Sequence, residues 1–433
     1  MTYQDFLAAK LARVHETGVT VTDHHPMLRD WQTEIVTWAA HVGRAAIWAD
    51  TGLGKTVMQV EWLRHMIGLH GYGLIVAPLA VCHQTVREAG KVDVVAKYVR
   101  DTSQMDGPGV YVTNYEMVQH FDPSEFRAVV LDEASILKQS DGKTRTMLIR
   151  HFEPVPYRLA CTATPAPNDP EELTNQAEFL GHMSRAHMLA AYFVHDDVGW
   201  RLKGHARRPM MKWMATWALA IRKPSDMGYP DTGYDLPGLN VIPHLIEVPI
   251  EAEGQLFPTD LGGVGGRAAV RRETLDARCE AAAKLVTDDP DEPWLIWCGL
   301  NAEAQRLNDL IPNSVNVDGS WSPEEKAQAL LDFADGKITR LITKPSIASM
   351  GMNWQHCARM AFVGLSDSYE QYYQAIRRCY RYGQHRVVDA HVVLSELEGQ
   401  IAVNIARKER EASNITAQLV QAMRASREDP DHD

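Results

Sequence analysis

The chain has 433 residues, of which 45% are hydrophobic and 23% are charged, a composition typical of a soluble globular protein of two or three domains. Its 44 basic and 56 acidic residues give a net charge of −12, which argues against a protein that coats nucleic acid over its whole surface but allows a local basic track. No apolar run reaches the roughly 18 residues that a membrane span needs. Six scattered cysteines without metal-binding spacing predict a reduced, cytoplasmic environment.

Residues 20–180 alternate short apolar runs with longer helical patterns, which predicts βαβ units around a parallel sheet. The runs are rich in β-branched residues and apolar on both faces, as in strands buried beneath helices. The predicted strands are residues 45–50, 73–78, 109–114, 128–133 and 157–164. Residues 1–19, polar and helix-like, are predicted to form an N-terminal helical lead to this first domain.

Residues 181–240 break the alternation and are predicted to be a basic helical insert followed by a linker. Between Val198 and Pro224 the sequence has basic residues but no acidic ones, and three tryptophans lie among them. The basic residues are Arg201, Lys203, Arg207, Arg208, Lys212, Arg222 and Lys223. The pattern fits a nucleic-acid track, and it equally fits a solvated helical face packed on the tryptophans.

The alternation resumes over residues 241–395, which predicts a second parallel-sheet domain. A helix is predicted over 271–286, and strands over 294–299, 340–344, 359–364 and 389–394. Residues 396–433 are predicted to form a long helix to about residue 427 and an acidic tail. The predicted fold class is therefore α/β, with two tandem domains whose parallel sheets are flanked by helices.

The segment WADTGLGKT, residues 48–56, fits a phosphate-binding loop. Gly52 and Gly54 allow the backbone around Thr51 and Leu53 to curl so that successive N–H groups point at phosphate oxygens. Lys55 would reach the β- and γ-phosphates, and the hydroxyl of Thr56 would hold Mg²⁺. Ala49 stands where the pattern usually has its first glycine.

An acidic pair, Asp132 and Glu133, ends an apolar run downstream of this loop. One carboxylate there can hold Mg²⁺, while its neighbour orients and deprotonates the water that attacks the γ-phosphate. Such a pair is also common as a helix N-cap, but its coupling to the phosphate loop favours the catalytic interpretation. The segment LACTATPAPN, residues 159–168, then offers the hydroxyls of Thr162 and Thr164 near the γ-phosphate.

A pair of arginines, Arg378 and Arg381, lies in QAIRRCYRYGQ, residues 374–384. Their spacing predicts that they share one face of a helix and reach a common target. A planar, permanently charged guanidinium group stabilises the charge on a transferring phosphoryl group. Because the pair lies in the second predicted domain, it would act across a cleft and make hydrolysis depend on domain closure.

The order of these motifs resembles that of superfamily-two helicases, specifically the Swi/Snf-type branch of DNA translocases and its compact phage and bacterial relatives. Further matching segments are LRDWQ (28–32), IVAPLAV (75–81), VTNYEMV (112–118), IWCGLNAEAQRL (296–307) and LITKPSIASMGMNWQ (341–355). The resemblance covers about residues 28–384. It implies two tandem RecA-like domains with a nucleotide cleft between them.

The resemblance also implies roles for individual residues. Gln32 would read the adenine edge, and Gly351 and Gln374 would face the nucleotide. Thr162 and Thr164 would couple the ATP state to domain motion. The DNA contacts would include Pro78, Asn114 and Lys344, in motifs Ia, Ib and five. Two departures concern Ser135, where the family usually has histidine, and motif five, which is about two residues longer than usual.

The sequence therefore predicts a DNA-stimulated ATPase that uses ATP and Mg²⁺ to translocate on duplex or branched DNA in phage or bacterial replication, recombination or repair. Remodelling or unwinding of the DNA would be further outcomes of the same motion. Two alternatives stay open: an RNA helicase of the same superfamily, and a nucleic-acid-binding scaffold without ATP turnover. The predicted partners are DNA and a replication or recombination protein that recruits the motor. The chain is predicted to act as a monomer on DNA, without membrane contact, in the cytoplasm of the cell or phage host.

Overall fold

The computed structural model describes residues 16–138, 142–197, 199–247, 271–348, 352–365, 368–395 and 399–428. The chain divides into two compact units, residues 1–232 together with 410–433, and residues 233–409. None of the described helices is both long enough and apolar enough to cross a membrane. All six cysteines are buried free thiols. The predicted helical lead and the predicted acidic tail both fall largely outside the described residues.

The first unit is built on a seven-stranded parallel sheet in the order β3-β4-β2-β5-β6-β1-β9. Its strands are β1 (Arg44–Ala49), β2 (Tyr72–Ala77), β3 (Ala96–Tyr98), β4 (Gly109–Asn114), β5 (Phe126–Asp132), β6 (Tyr157–Cys161) and β9 (Ala218–Ile221). Its helices to residue 192 are α1 (Asp30–Val42), α2 (Lys55–Ile67), α3 (Leu79–Gly90), α4 (Lys143–His151), α5 (Leu173–Leu180) and α6 (Arg185–Tyr192). The five predicted strands of this domain are all present, because each is a continuous apolar run that the sheet buries.

Residues 181–232 of the segment predicted as insert and linker belong to this first unit, and residues 233–240 belong to the second. After α6 the segment forms the antiparallel hairpin β7 (Phe193–Asp196) and β8 (Gly199–Leu202), then α7 (Arg207–Met214) and β9. β9 extends the parallel sheet, pairing with β1 from Ala46↔Ala218 to Ala49↔Ile221. Trp213 and Trp217 are buried beneath α7 and β9. The sequence did not predict β9, because four apolar residues next to a Met- and Trp-rich helical run are too few to show a hydrophobic periodicity that would distinguish a strand from a helix.

The second unit is built on a six-stranded parallel sheet in the order β10-β15-β14-β11-β13-β12. Its strands are β10 (Leu239–Ile246), β11 (Trp294–Cys298), β12 (Val315–Val317), β13 (Arg340–Thr343), β14 (Arg359–Val363) and β15 (Val388–Ser395). Its helices are α8 (Leu275–Asp288), α9 (Asn301–Leu310), α10 (Pro323–Ala334), α11 (Pro345–Ala348) and α12 (Tyr369–Ile376). The four predicted strands and the predicted helix are present, whereas β10 and β12 were not predicted. The two helix-flanked parallel sheets confirm the predicted fold class.

The long C-terminal helix is α13 (Gly399–Glu428), close to the bounds that the sequence predicts. Its residues to 409 belong to the second unit, and those from 410 onward to the first. Within the first unit, Met423 is buried and its sulfur accepts a hydrogen bond from the Ala220 backbone N–H at 3.2 Å. Arg424 donates to the carbonyl of Asp226 at 2.9 Å. These contacts fix the end of the helix against β9 and the short helix that follows it.

Candidate functional site

The predicted phosphate loop joins the carboxyl end of β1 to the start of α2. Gly52 and Gly54 have φ values of +85° and +73°, in the left-handed region that favours glycine. A Cβ atom on Gly54 would lie 2.5 Å from Nε2 of Gln32, so the loop also has no room for a side chain there. Lys55 folds back over the loop, and its Nζ donates to the carbonyl of Ala49 at 2.7 Å. The residue that replaces the usual first glycine thus positions the lysine through its backbone.

Gln32, on α1, is buried and held at both ends of its side-chain amide. Its Nε2 donates to the carbonyl of Leu53 at 2.9 Å, and its Oε1 accepts from the Arg29 N–H at 2.9 Å. The glutamine therefore joins the start of α1 to the phosphate loop. Its predicted contact with adenine stays a prediction, as do the phosphate contacts of Thr51 and Leu53.

The acidic pair lies where β5 ends. Asp132 is buried, and its Oδ1 accepts a hydrogen bond from Nε2 of Gln59 at 2.7 Å. Burial raises the pKa of the Asp132 carboxyl, although the Gln59 hydrogen bond and the positive charge of Lys55 act in the opposite direction. Glu133 has a φ of +55°, which is uncommon for a residue with a side chain and costs on the order of 1–3 kcal/mol. Backbone strain of this kind is concentrated at functional sites.

The two threonines connect to this pair. The hydroxyl of Thr162 donates to Oε2 of Glu133 at 3.4 Å, and Oγ1 of Thr162 accepts from the N–H of Thr164 at 3.1 Å. Ser135, where the family usually has histidine, is buried in the turn after Glu133. Thr162 therefore contacts the predicted base directly, and Thr164 is connected to it through Thr162.

The sheet order explains why these side chains meet. β5, β6 and β1 are adjacent and parallel, with Asp132 opposite Cys161 and Cys161 opposite Ile47. The carboxyl ends of parallel strands meet at one edge, where open α/β sheets bind their ligands. Glu133 and Thr162 directly follow β5 and β6, and Lys55 follows β1 after the phosphate loop.

The residues at this edge fit a magnesium nucleotide. The hydroxyl of Thr56 and the carboxylate of Asp132 are hard oxygen donors of the type that Mg²⁺ takes. Oγ1 of Thr164 is buried without a hydrogen-bond partner, so it has unused bonding capacity at the site. The glycine loop leaves a cradle that a Cβ at position 54 would fill. The sequence analysis missed Gln59, whose signal is its spacing of four residues, one helical turn, from Lys55 on α2.

In the second unit, Arg378 and Arg381 direct their guanidinium groups at one backbone atom, the carbonyl oxygen of Met352, at 3.1 and 3.4 Å. The prediction that they share a helix face was wrong, because α12 ends at Ile376 and both arginines lie in the turn beyond it. The helix cannot continue there, since the carbonyl of Arg378 accepts from the Trp354 N–H at 2.9 Å instead of from a helical N–H.

Burial shapes the chemistry of this arginine turn. Arg378 is only 7% exposed, and burial together with Arg377 lowers the pKa of Arg381. Gln374 lies on α12, and its carbonyl accepts from Nε of Arg378 at 3.1 Å. Gly351 lies outside the described residues. A buried guanidinium group beside a half-buried one is suited to an anionic group, which would relieve their mutual repulsion.

The predicted DNA-contacting residues of motifs Ia, Ib and five lie at or just beyond strand ends. Pro78 precedes α3 directly after β2. The side chain of Asn114, at the end of β4, is held by Tyr98 at 2.9 Å and by Glu116. Lys344 follows β13 and lines a cavity of about 270 Å³ together with Cys298 and Ser346. Their DNA contacts stay predictions.

The basic segment is free of acidic residues in sequence but not in space. Three of its basic residues form ion pairs with acidic residues outside it: Arg201 with Asp196 at 3.2 Å, Arg222 with Asp226 at 3.3 Å and Lys223 with Asp231 at 2.9 Å. Two others donate hydrogen bonds, Lys203 to the carbonyl of Ala190 at 3.0 Å and Arg207 to Oε1 of Gln418 at 3.4 Å. Arg208 and Lys212 are exposed, one turn apart on α7, and neither makes an ion pair or hydrogen bond with another described residue. The segment therefore has two exposed basic side chains on one helix face that make no ion pair or hydrogen bond with the described residues.

Comparison with known proteins identifies the family. Residues 31–189 match the family model for the SNF2-related domain, and residues 277–383 match the model for the helicase conserved C-terminal domain. The chain belongs to the Snf2-type helicases of superfamily two. The two matches follow in this order along the chain, one in each unit, and together they cover more than half of it. No curated protein sequence matches.

Among solved structures, this Snf2-type helicase is similar to the Sulfolobus solfataricus SWI2/SNF2 ATPase core in complex with dsDNA. The identity is 17%, the TM-score is 0.45, and the match covers 95% of this chain and 97% of that one. The resemblance predicted from the motifs is confirmed by the two family models. Snf2-type helicase domains are those of a DNA-dependent ATPase, so the enzyme class and the use of ATP follow from the family.

Proposed function

We propose that this protein is a motor that uses ATP hydrolysis to translocate along duplex or branched DNA. The observation that carries the proposal is the meeting of Lys55, Asp132, Glu133 and Thr162 at one edge of the first sheet in a chain of the Snf2 type. A scaffold without turnover would have no use for the strained backbone at Glu133 or for a buried carboxylate beside a lysine.

The residues of the first unit divide the work of hydrolysis. Bound Mg²⁺-ATP supplies the phosphoanhydride to be cleaved and a cation that neutralises phosphate charge. Lys55 would hold the phosphates, and Thr56 with Asp132 would hold the ion. Glu133 would take a proton from the attacking water at its carboxylate. Gln59 is a positioning residue, since it fixes Asp132 through the 2.7 Å hydrogen bond.

Thr162 supports a route from this site to the rest of the first unit. Its oxygen lies between Oε2 of Glu133 and the N–H of Thr164, so a change in the proton or position of Glu133 alters the bond that holds the following turn. Arg378 and Arg381 of the second unit would supply positive charge to the transferring phosphoryl group. Hydrolysis would then require residues of both units, which ties turnover to domain motion.

The cellular setting is a further part of the proposal. The resemblance of the motifs to those of phage and bacterial relatives supports a phage or bacterial motor, which would act as a monomer on DNA in the cytoplasm of the cell or host and be recruited by a replication or recombination protein. An RNA helicase would differ from this motor in that RNA, not DNA, would most increase its rate of ATP hydrolysis. A nucleic-acid-binding scaffold would differ in that it would not hydrolyse ATP.

The test is ATP turnover by the full chain with equal masses of duplex DNA, single-stranded DNA and RNA. We expect the largest stimulation with duplex DNA, and no turnover with Glu133→Gln, which keeps the size of the side chain but removes its basicity. Strongest stimulation by RNA would favour the RNA helicase, and unstimulated background rates with every polymer would favour the scaffold. Comparing displacement of a triplex-forming strand with separation of a matched duplex then distinguishes translocation from unwinding.

A further inference from the structure

A cluster of His24, Glu61 and His65 lies in the first unit, apart from the nucleotide loop. Glu61 and His65 are one turn apart on α2, and His24 lies in the segment that precedes α1. One nitrogen of each histidine and one carboxylate oxygen all lie within 4.8 Å of one another. The side chains are 10%, 0% and 9% exposed, in chain order. Three polar side chains are therefore gathered in a nearly dry environment.

Hydrogen bonding fixes where the proton of His24 lies. The hydroxyl of Thr37 donates to the carbonyl of Thr33 at 2.9 Å, so its oxygen accepts from Nε2–H of His24 at 2.8 Å. With its proton on Nε2, the neutral imidazole of His24 has a lone pair on Nδ1. This Nδ1 is buried, makes no hydrogen bond and lies 3.4 Å from Oε1 of Glu61. A lone pair thus faces a carboxylate oxygen, an arrangement that a cation between them would stabilise.

The distances from the glutamate oxygen to the two histidine nitrogens suit such a cation. Oε1 of Glu61 lies 3.4 Å from Nδ1 of His24 and 3.1 Å from Nε2 of His65. A tetrahedral ion with bonds of about 2.0–2.1 Å separates neighbouring ligand atoms by about 3.3 Å. Two imidazole nitrogens and one glutamate oxygen form a three-residue ligand set that Zn²⁺ takes, with water at the fourth position.

We propose that His24, Glu61 and His65 bind a divalent transition-metal ion, Zn²⁺ foremost, which pins the segment before α1 to α2. α1 carries Gln32, and α2 begins at Lys55. The ion would therefore support the two helices that hold the nucleotide loop, at a distance from the reacting phosphates. Its role would be structural, independent of the proposed motor activity.

Arg64 competes with this ion. Its Nη2 lies 2.8 Å from Oε1 of Glu61 and 3.2 Å from Nε2 of His65, so its guanidinium occupies the place of the cation. The side chain is 37% exposed, and its Nη1 lies 3.8 Å from the exposed Asp23, so it can turn outward. Removing the guanidinium charge should therefore strengthen metal binding, whereas it would weaken a cluster held together by ion pairs alone.

The test is Zn²⁺ binding to the chelator-stripped full-length protein, followed by titration calorimetry and metal analysis after dialysis, with Co²⁺ absorption as a report of nitrogen and oxygen ligands. We expect one retained Zn²⁺ per chain and a higher melting temperature with the ion. His24→Gln and His65→Gln should each weaken binding by about tenfold or more, since even losing a residue that only supports a ligand has that effect. Arg64→Gln should bind Zn²⁺ more tightly than the wild type.

The matched control is His151→Gln on α4, because Nε2 of His151 is also buried without a hydrogen bond. Among the described residues His151 belongs to no group of three potential ligands, so its variant should bind Zn²⁺ like the wild type. Circular dichroism checks that each variant is folded. No stoichiometric Zn²⁺ on the wild type, unchanged binding by a folded His24→Gln protein, or no gain with Arg64→Gln would each overturn the proposal.

Discussion

At the scale of single residues, Glu172 makes the first unit sensitive to pH. It ends the short helix Pro170–Glu172, is buried, and accepts hydrogen bonds from the backbone and side chain of Asn168 at 3.1 and 2.8 Å. Burial raises the pKa of Glu172 to about 7 from 4.5. The folded state therefore binds the extra proton between these values, so the stabilising contribution is fully present below about pH 4.5 and is lost as the pH rises through 7.

We therefore predict that Glu172→Gln, which mimics the protonated form, stabilises the protein at high pH but not at low pH. The difference in the free energy of unfolding between variant and wild type should grow by up to about 3 kcal/mol between pH 4.5 and 8. Urea titrations followed by tryptophan fluorescence at several pH values measure it. A difference that stays constant with pH would show that Glu172 does not titrate in this range.

The residues that the sequence could predict are those whose chemistry is tied to a motif. Lys55, Asp132 and Glu133 stand at fixed places relative to apolar runs, and the structure brings them to one sheet edge. Gln59 has only its spacing from Lys55 as a signal and His24 has none, because their partners, Asp132 and Glu61, are distant in sequence and meet them only after folding. Pairs of this kind depend on how the helices and strands pack together, which the motifs of a single sequence do not give.

At the scale of elements, strands with an apolar run of their own were predictable and the others were not. β11 is buried along its length and β5 is buried except at Arg127, so each is a clear apolar run in the sequence. β10 alternates half-buried and exposed residues and lies at a sheet edge, where it pairs only with β15. β12 has three residues. Strands of this kind form because a neighbouring strand provides backbone hydrogen bonds, and their own sequences have no apolar pattern that would predict them.

The helix α7 carries the prediction at this scale. Arg208 and Lys212 are exposed without ion-pair partners among the described residues, whereas Arg201 is paired with Asp196. If α7 contacts phosphates, each neutralised phosphate adds about 0.9 to the slope of log affinity against log salt. Arg208→Ala with Lys212→Ala should therefore reduce the magnitude of the slope by about 1.8 and weaken duplex binding.

Fluorescence anisotropy with labelled duplex DNA at several salt concentrations measures this slope. The matched control is Arg201→Ala, which removes a cation already neutralised by Asp196 and should change the slope by much less. An unchanged slope in the double variant would show that α7 is a solvated face packed on Trp213 and Trp217, the other interpretation of its sequence pattern.

At the scale of the whole molecule, the predicted catalytic groups are divided between two units. Lys55 and Glu133 belong to the first, and Arg378 and Arg381 to the second. If the first unit alone carried every catalytic group, ATP would be hydrolysed without the arginines. If the arginines contribute only to the chemical step, ATP binding would not need them but hydrolysis would. The division therefore predicts that loss of an arginine separates ATP binding from hydrolysis.

We predict that Arg378→Ala leaves ATP affinity largely intact and lowers DNA-stimulated turnover by about a thousandfold or more, as removal of an arginine finger does in other nucleotide hydrolases. Arg378→Lys should restore little, because an ammonium group cannot reproduce the two-pronged donation of a guanidinium. Fluorescent-nucleotide binding and phosphate release measure the two quantities.

The matched control for this last variant is Arg386→Ala, which removes an exposed arginine paired with Glu292 at 2.6 Å and should leave both quantities unchanged. Because Arg378 also donates to the carbonyl of Met352, melting curves must show that the second unit stays folded. A folded Arg378→Ala protein with wild-type turnover would exclude this arginine from the chemical step. Equal loss of binding and turnover would instead place it among the groups that hold the nucleotide before hydrolysis, because only a group that acts in the transition state alone lowers turnover without lowering affinity.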